Sequence, residues 1–284
     1  MLRRAFSKGA IALCAMAIFW MSGSRIGFAA EPQSRPSLTE WFYADGIIQP
    51  EGISMKEAMK GVWAPTKEWM VISNLSPKET TVTATFYFED LPPRQKAQKI
   101  PARASGYIVV QDIPQIVPPK KLYGVRVQGN APFLVQPCRA EYEPNNPVTA
   151  AMAAFVAYPG PLGKRETKWV YGDGLVLTSE GPLEEWEWIT ILNPNAGRDA
   201  HVKIGFNFVR EQKTHALTVP AERVRTVDLF NLPVFQKNSI CQPVVESDVP
   251  VVVEQVRRCY AKGIPVIQSI YACLAFPIGD KDLE

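Results

Sequence analysis

Short runs of β-branched and aromatic residues, separated by turns rich in proline, glycine and asparagine, recur along the whole chain. One such run is Val251 to Val253, which follows the turn residues Ser247 and Asp248 and ends in charged residues. Short apolar runs between turn signals are typical of strands rather than helices. The pattern predicts roughly seven strands in each stretch of about 115 residues, which is typical of a β-sandwich.

The chain also contains an internal repeat. Residues 128–139 and 246–257 share one plan: a polar turn, a proline, three apolar residues, a polar residue and an arginine. The two prolines are 118 residues apart (250 − 132 = 118), and so are the two arginines (257 − 139 = 118). We therefore predict an all-β protein with two tandem β-sandwich domains related by the repeat. The predicted boundaries are 38–159 for domain one, 160–165 for the linker and 166–279 for domain two.

Residues 1–30 are predicted to be a signal peptide. Arg3 and Arg4 precede an apolar run of about a dozen residues, whereas a membrane-spanning helix needs about 20. A small-x-small cleavage pattern ends at Ala29, so we expect the mature chain to begin near Glu31 and to be periplasmic or secreted. The arginine pair also resembles a twin-arginine export motif. N-terminal sequencing of the exported protein tests the cleavage. No stretch after the predicted signal peptide is apolar enough to span a membrane.

Composition and motifs argue against several function classes. The net charge is +3 without a block of lysines or arginines, so nothing indicates nucleic-acid binding. The only histidines are His201 and His215, and there is no nucleophile motif, phosphate loop or metal-ligand spacing. Asp173 and Glu187 could in principle form an acid and base pair, but nothing else supports catalysis. We predict a protein without a cofactor or a metal, and not an enzyme.

Polar residues recur at matching places in the two repeats, at the ends of apolar strands. They are Asp45, Glu68, Asn74, Gln136 and Arg139 in domain one, and Asp173, Glu187, Asn193, Glu254 and Arg257 in domain two. Such convergent polar groups could orient a small ligand. Trp63 and Trp186, in loops that differ between the repeats, could stack on a sugar ring. The alternative is structural: the charged pairs and asparagines tie down strand ends, and the tryptophans anchor loops.

A family resemblance rests on motifs in domain two. They are Trp169…Asp173-Gly174, Glu187…Asn193, Asp199-Ala-His-Val-Lys-Ile204, Leu217-Thr-Val-Pro-Ala221 and Ser247–Val253…Arg257. Together they resemble the sensory rhodopsin transducer family over residues 166–278, with domain one as a more diverged copy. The resemblance implies a β-sandwich that tends to form oligomers, in a superfamily proposed to bind small, sugar-like molecules. The chain departs from the family at Glu254, where glutamine is favoured; domain one keeps an amide there as Gln136.

These observations predict an exported, non-enzymatic binding protein, with a hydroxyl-rich, sugar-like ligand in each domain. The alternative is a structural or protein-interaction module, which forms a homo-oligomer or docks a protein partner through its sheets. Convergence of the recurring polar residues in one pocket would favour the binding function, and their separation would weaken it.

Overall fold

The computed structural model describes residues 38–47, 66–142, 149–172, 174–176, 183–261 and 267–278. The predicted signal peptide lies outside these residues, and so do Trp63 and Asp173. Among the described residues there is no helix that is long and apolar enough to cross a membrane.

The described regular structure is strands and two short 3₁₀ helices at Val110–Asp112 and Lys164–Thr167. The first half contains β1 (Glu40–Ile47), β2 (Thr66–Asn74), β3 (Thr80–Phe88), β4 (Arg94–Ile100), β5 (Ser105–Val109), β6 (Leu122–Gly129), β7 (Phe133–Tyr142), β8 (Thr149–Ala154) and β9 (Tyr158–Pro159). The second half contains β10 (Lys168–Val170), β11 (Leu183–Asn193), β12 (Ala200–Phe208), β13 (Gln212–Val219), β14 (Arg223–Asp228), β15 (Cys241–Ser247), β16 (Val252–Ala261), β17 (Ile267–Leu274) and β18 (Phe276–Pro277).

The strands form four antiparallel sheets, two in each half. Sheet A has the order β4-β3-β6-β1-β9 and sheet B the order β5-β2-β7-β8. In the second half, sheet C has the order β13-β12-β15-β10-β18 and sheet D the order β14-β11-β16-β17. Adding nine to each strand number of sheets A and B gives sheets C and D, so the two halves share one topology. The predicted all-β fold with two repeated sandwich-like halves is confirmed.

Each half buries its own hydrophobic core between its two sheets. Strand β2 shows the reason, because its residues alternate between buried and at least partly exposed positions and bury one face, as a strand with a period of two must. Ile72 and Phe86 are fully buried in the first core, and Ile191 and Phe206 are fully buried in the second.

A third apolar cluster joins the two halves. Phe42 and Tyr87, on the outer face of sheet A, pack against Leu192 and Val252, on the outer face of sheet D. The approach is close: a Cβ atom added to Gly124 of sheet A would lie 3.0 Å from Leu192 Cδ1. The outer face of sheet A is therefore covered by sheet D, and residues 36–284 form one compact unit.

Candidate functional site

Arg139 lies at the centre of a buried polar cluster in the first half. The pairing of β2 with β7 places it directly opposite Glu68, to which its Nε donates a hydrogen bond. Its Nη1 lies 3.0 Å from Oδ2 of Asp45, and its Nη2 donates to the Asp45 carbonyl and to the Tyr43 hydroxyl. Only 1% of the Arg139 side chain is exposed, so strands β1, β2 and β7 are connected here by charge-assisted bonds in the core.

The carboxylate of Glu68 is surrounded by donors. Its Oε2 accepts hydrogen bonds from the Tyr123 hydroxyl and from the Ile47 amide, the latter at 2.9 Å. Burial nevertheless raises the pKa of Glu68 to about 7, against the opposing effect of the Arg139 charge. Loss of hydration thus outweighs the ion pair, which is the expected balance for a carboxylate far from water.

The second half repeats this pair at its own sheet D. Oε2 of Glu187 accepts from Arg257 Nη2 at 2.9 Å and from the Leu175 amide at 2.9 Å, which matches the Ile47 bond in the first half. Gln255 donates to the other oxygen, and burial raises the pKa of Glu187 to about 7. Arg257 is the more accessible of the two arginines, with 13% of its side chain exposed.

Hydrogen bonds also connect the two halves at Asp45. Its amide donates to Oε2 of Glu254 at 2.9 Å, and the Thr190 hydroxyl donates to its Oδ1 at 3.0 Å. Thr190 and Glu254 are directly opposite each other in the pairing of β11 with β16, so both reach Asp45 from the outer face of sheet D. The buried cluster of the first half therefore continues into the second.

A groove of about 380 Å³ lies elsewhere, on the outer face of sheet C. Its polar lining consists of Lys168, Lys203, Asn207, Gln212, Gln242 and Glu246. Strand alternation explains the arrangement, because residues 203, 205 and 207 of β12 point away from the core while residues 202, 204 and 206 point into it. Val170, Gly205, Val244 and Ile278 complete the lining.

Several of the side chains that line the groove contact one another. Lys168 Nζ lies 3.1 Å from Oε1 of Glu246, and Gln212 Nε2 donates to Oδ1 of Asn207 at 2.8 Å. A Cβ atom on Gly205 would come within 3.7 Å of the Gln212 amide, so a larger residue there would extend into the groove. Amides, a carboxylate and ammonium groups thus surround one concave surface.

Comparison with known proteins places the first half in a family. Residues 37–159 match the family model described as the Anabaena sensory rhodopsin transducer. This half is a sensory rhodopsin transducer domain. The family is one of transducer and binding proteins rather than a known catalytic family. The predicted family is therefore confirmed for residues 37–159, the half that we took for the more diverged copy. The resemblance of residues 166–278 stays a prediction.

Two solved structures are similar to part of this chain. One is Thermotoga maritima 1070, with 22% identity over 43% of this chain and 94% of its own, and a TM-score of 0.35. The other is the Anabaena sensory rhodopsin transducer, with 24% identity over 35% of this chain and 85% of its own, and a TM-score of 0.29. No curated protein matches the chain.

Glu254, where the resemblance led us to expect glutamine, is a carboxyl group in the buried contact between the halves. It is buried, and its Oε1 makes no hydrogen bond with any described residue. Burial, and next the charge of Asp45, raise the pKa of Glu254 well above its ordinary value. A neutral carboxylic acid and a glutamine side chain are similar in shape, so a glutamine would fit the site as folded.

We expect Glu254→Gln to be at least as stable as the wild type, with an advantage that grows as the pH rises. A carboxyl group with a raised pKa loses stability on ionisation, whereas an amide does not ionise. Urea unfolding at about pH 5 and about pH 8 measures the difference. Glu254→Ala, which removes the acceptor for the Asp45 amide, is the control and should be less stable than either. A Glu254→Gln protein that is less stable than the wild type at the higher pH would contradict this assignment.

The structure does not bring the two predicted asparagines into these clusters. Asn74 is six residues beyond Glu68 on β2, a distance of about 20 Å at the usual strand rise. Its Nδ2 donates to the carbonyls of Lys78, Ile100 and Pro101. Nδ2 of Asn193 makes the matching bonds to the carbonyls of Arg198, Val219 and Pro220. Each asparagine thus joins the end of its own strand to a neighbouring turn and to the end of a neighbouring strand.

The other predicted residues are also separated from one another. Gln136 is exposed on the outer face of sheet B, whereas its counterpart Glu254 is buried between the halves. The prediction that Trp186 lies in a loop is wrong: it belongs to strand β11, where it is buried and stacks on Phe230 with ring centroids 4.2 Å apart. Ligand binding by the recurring residues stays a prediction. Sequence analysis missed the groove, although polar residues at alternate positions of β12 were a visible signal.

Proposed function

We propose that this chain is an exported, non-enzymatic binding protein that holds a neutral, hydroxyl-rich small molecule in the groove of sheet C. The observation that carries the proposal is the groove itself, whose volume of about 380 Å³ lies within the roughly 300–1,000 Å³ of ligand pockets. The transducer domain in the first half supports a binding role in general terms.

The lining chemistry fits hydroxyl groups. Each amide side chain of Asn207, Gln212 and Gln242 offers both donors and an acceptor, and a sugar hydroxyl needs both. Lys203 can donate a charge-assisted hydrogen bond, and Glu246 can accept one. Charges of both signs line the groove, so a neutral ligand fits it better than a strongly charged one.

The groove exists in only one of the two halves, so we expect one binding site per chain. The first-half counterparts of Asn207 and Gln242 are Tyr87 and Gly124, which face each other in the same register of β3 and β6. Tyr87 is buried in the cluster between the halves, and Gly124 lies against Leu192. Sheet D thus occupies the surface on sheet A that corresponds to the groove.

The alternative location for the ligand is beside the recurring charged residues. Within the described residues, the more accessible pair is that of Glu187 and Arg257, which face each other near the middle of β11 and β16 in sheet D. A ligand bound there would contact the guanidinium group and not the amides of sheet C. Variants of the two regions therefore distinguish the locations.

Binding is tested by screening the full chain on a glycan array and measuring affinities for the selected saccharides by calorimetry. The double variant Asn207→Ala, Gln242→Ala should bind about 10- to 100-fold more weakly, from the loss of two hydrogen bonds of about 1 kcal/mol each. Gln95→Ala, which removes an exposed amide from β4 in the first half, is the matched control and should bind normally. Loss of binding in folded Arg257→Ala, with none in the groove variant, would assign the site to sheet D instead.

A further inference from the structure

A row of apolar positions crosses the outer face of sheet C along the floor of the groove. Phe276 of β18 is directly opposite Val170 of β10. Val170 is in turn opposite Val244 of β15, which is opposite Gly205 of β12. Directly opposite residues share one face of a sheet, so Phe276 lies on the same outer face as the three groove residues. From β18 to β12 the row spans about 14 Å, at the usual spacing of about 4.8 Å between strands.

Phe276 is an exposed aromatic residue at one end of this row. Its side chain is 73% exposed. The first-half counterpart is Tyr158, which is opposite Phe42 as Phe276 is opposite Val170. Tyr158 packs against the apolar cluster between the halves. The aromatic residue at this place is therefore covered from within the chain in the first half, and it extends the open groove in the second.

Polar groups flank the row on both sides. Asn207 and Gln242 are opposite each other on one side, and Lys203 and Glu246 are opposite each other on the other side. Each pair is two residues away from the row, about 7 Å at the usual strand rise. A ligand that lies on the row therefore needs an apolar face for the floor and hydrogen-bonding groups along both edges. A pyranose ring has this form, with C–H groups on its faces and hydroxyl groups around its edge.

We infer that the ligand of the groove is an extended, neutral oligosaccharide of at least two sugar rings, one stacked on Phe276 and another over Val244 and Gly205. The inference rests on the proposed function, because it defines the ligand of the same groove. The row is longer than one sugar ring, so a ring that contacts the amides of Asn207 and Gln242 does not also reach Phe276. The negative potential over an aromatic face attracts the C–H groups of a sugar.

Calorimetry with three pairs of neutral sugars tests the inference: cellotetraose and glucose, mannotetraose and mannose, and xylotetraose and xylose. The wild type should bind at least one tetrasaccharide more tightly than its single-ring unit. Phe276→Ala should weaken tetrasaccharide binding about 3- to 10-fold, as expected for the loss of an aromatic stacking contact, and leave single-ring binding unchanged. Phe276→Trp should retain tetrasaccharide binding, whereas Phe276→Leu, which is apolar but has no flat ring, should behave as the alanine variant does.

Tyr107→Ala is the matched control, because it removes an exposed aromatic side chain from sheet B and should bind every sugar normally. Circular dichroism checks that the variants fold, as expected for substitutions of exposed side chains. Normal tetrasaccharide binding by Phe276→Ala, together with lost binding in the Asn207→Ala, Gln242→Ala variant, would overturn this inference and leave the proposed function intact. A wild type that binds none of the tetrasaccharides would also overturn it. Absence of binding to every glycan of the array would overturn the proposed function as well.

Discussion

Replacing Arg139 with alanine is expected to lower the free energy of unfolding by about 3–5 kcal/mol, the usual cost of breaking a buried ion pair from one side. The substitution would leave the carboxylates of Asp45 and Glu68 in the core without their shared counter-charge. It would also remove the guanidinium donor to the Asp45 carbonyl, which holds β1 against β7. Urea unfolding of the full chain, followed by tryptophan fluorescence, measures the change.

Arg225→Ala is the matched control for this substitution. Arg225 also forms an ion pair, with Glu89 in the other half, but both side chains are 41% exposed. Exposed pairs contribute about 0–1 kcal/mol, so this variant should unfold nearly as the wild type does. If Arg139→Ala cost no more than Arg225→Ala, the buried cluster would not be the stabilising connection that its contacts indicate.

The free energy of unfolding is expected to fall as the pH rises from about 5 to about 8, and Glu187→Gln should remove part of that fall. Burial raises the pKa of Glu187 from 4.5 to about 7 in the folded protein. Between these values the folded state binds more protons than the unfolded state, so stability decreases with rising pH. The expected contribution of this one carboxyl group is about 3 kcal/mol, at about 1.4 kcal/mol for each pH unit.

Glu68 provides an independent repetition of that experiment in the first half. Its pKa is also raised to about 7, chiefly by burial, so Glu68→Gln should reduce the slope of stability against pH by a similar amount. The double variant should have the shallowest slope of the three. Unfolding curves over this pH range give the slopes directly, and a Glu187→Gln slope equal to that of the wild type would show that Glu187 ionises normally.

Much of the fold could be predicted from sequence because the repeat and the strand pattern indicate the same architecture. The fixed spacing of Pro132/Pro250 and Arg139/Arg257 indicated two copies of one sandwich, and the strand orders of the sheets agree. The packing of sheet A on sheet D could not be predicted in this way. It depends on which outer faces meet, and the residues involved, such as Phe42 and Leu192, have ordinary strand patterns.

The recurring residues predicted the charged clusters but not a pocket. Glu68 with Arg139 and Glu187 with Arg257 do pair, whereas Asn74 fastens a strand end at the far side of its sheet. Polar residues that recur at matching positions are those that both halves need in order to fold. A site that exists in only one half produces no recurring residues. The groove is such a site, because the counterparts of its residues Asn207 and Gln242 are Tyr87 and Gly124.

Side-chain NMR of the full chain tests the location of the binding site most directly. On titration with a neutral saccharide selected by the glycan array, the amide cross-peaks of Asn207, Gln212 and Gln242 should shift together and saturate at one equivalent. The Nε–Hε cross-peak of Arg257 should not move, because its partner Glu187 belongs to the separate cluster of sheet D. A shift confined to Arg257, or groove amides that stay unchanged at saturating saccharide, would contradict a ligand site on sheet C.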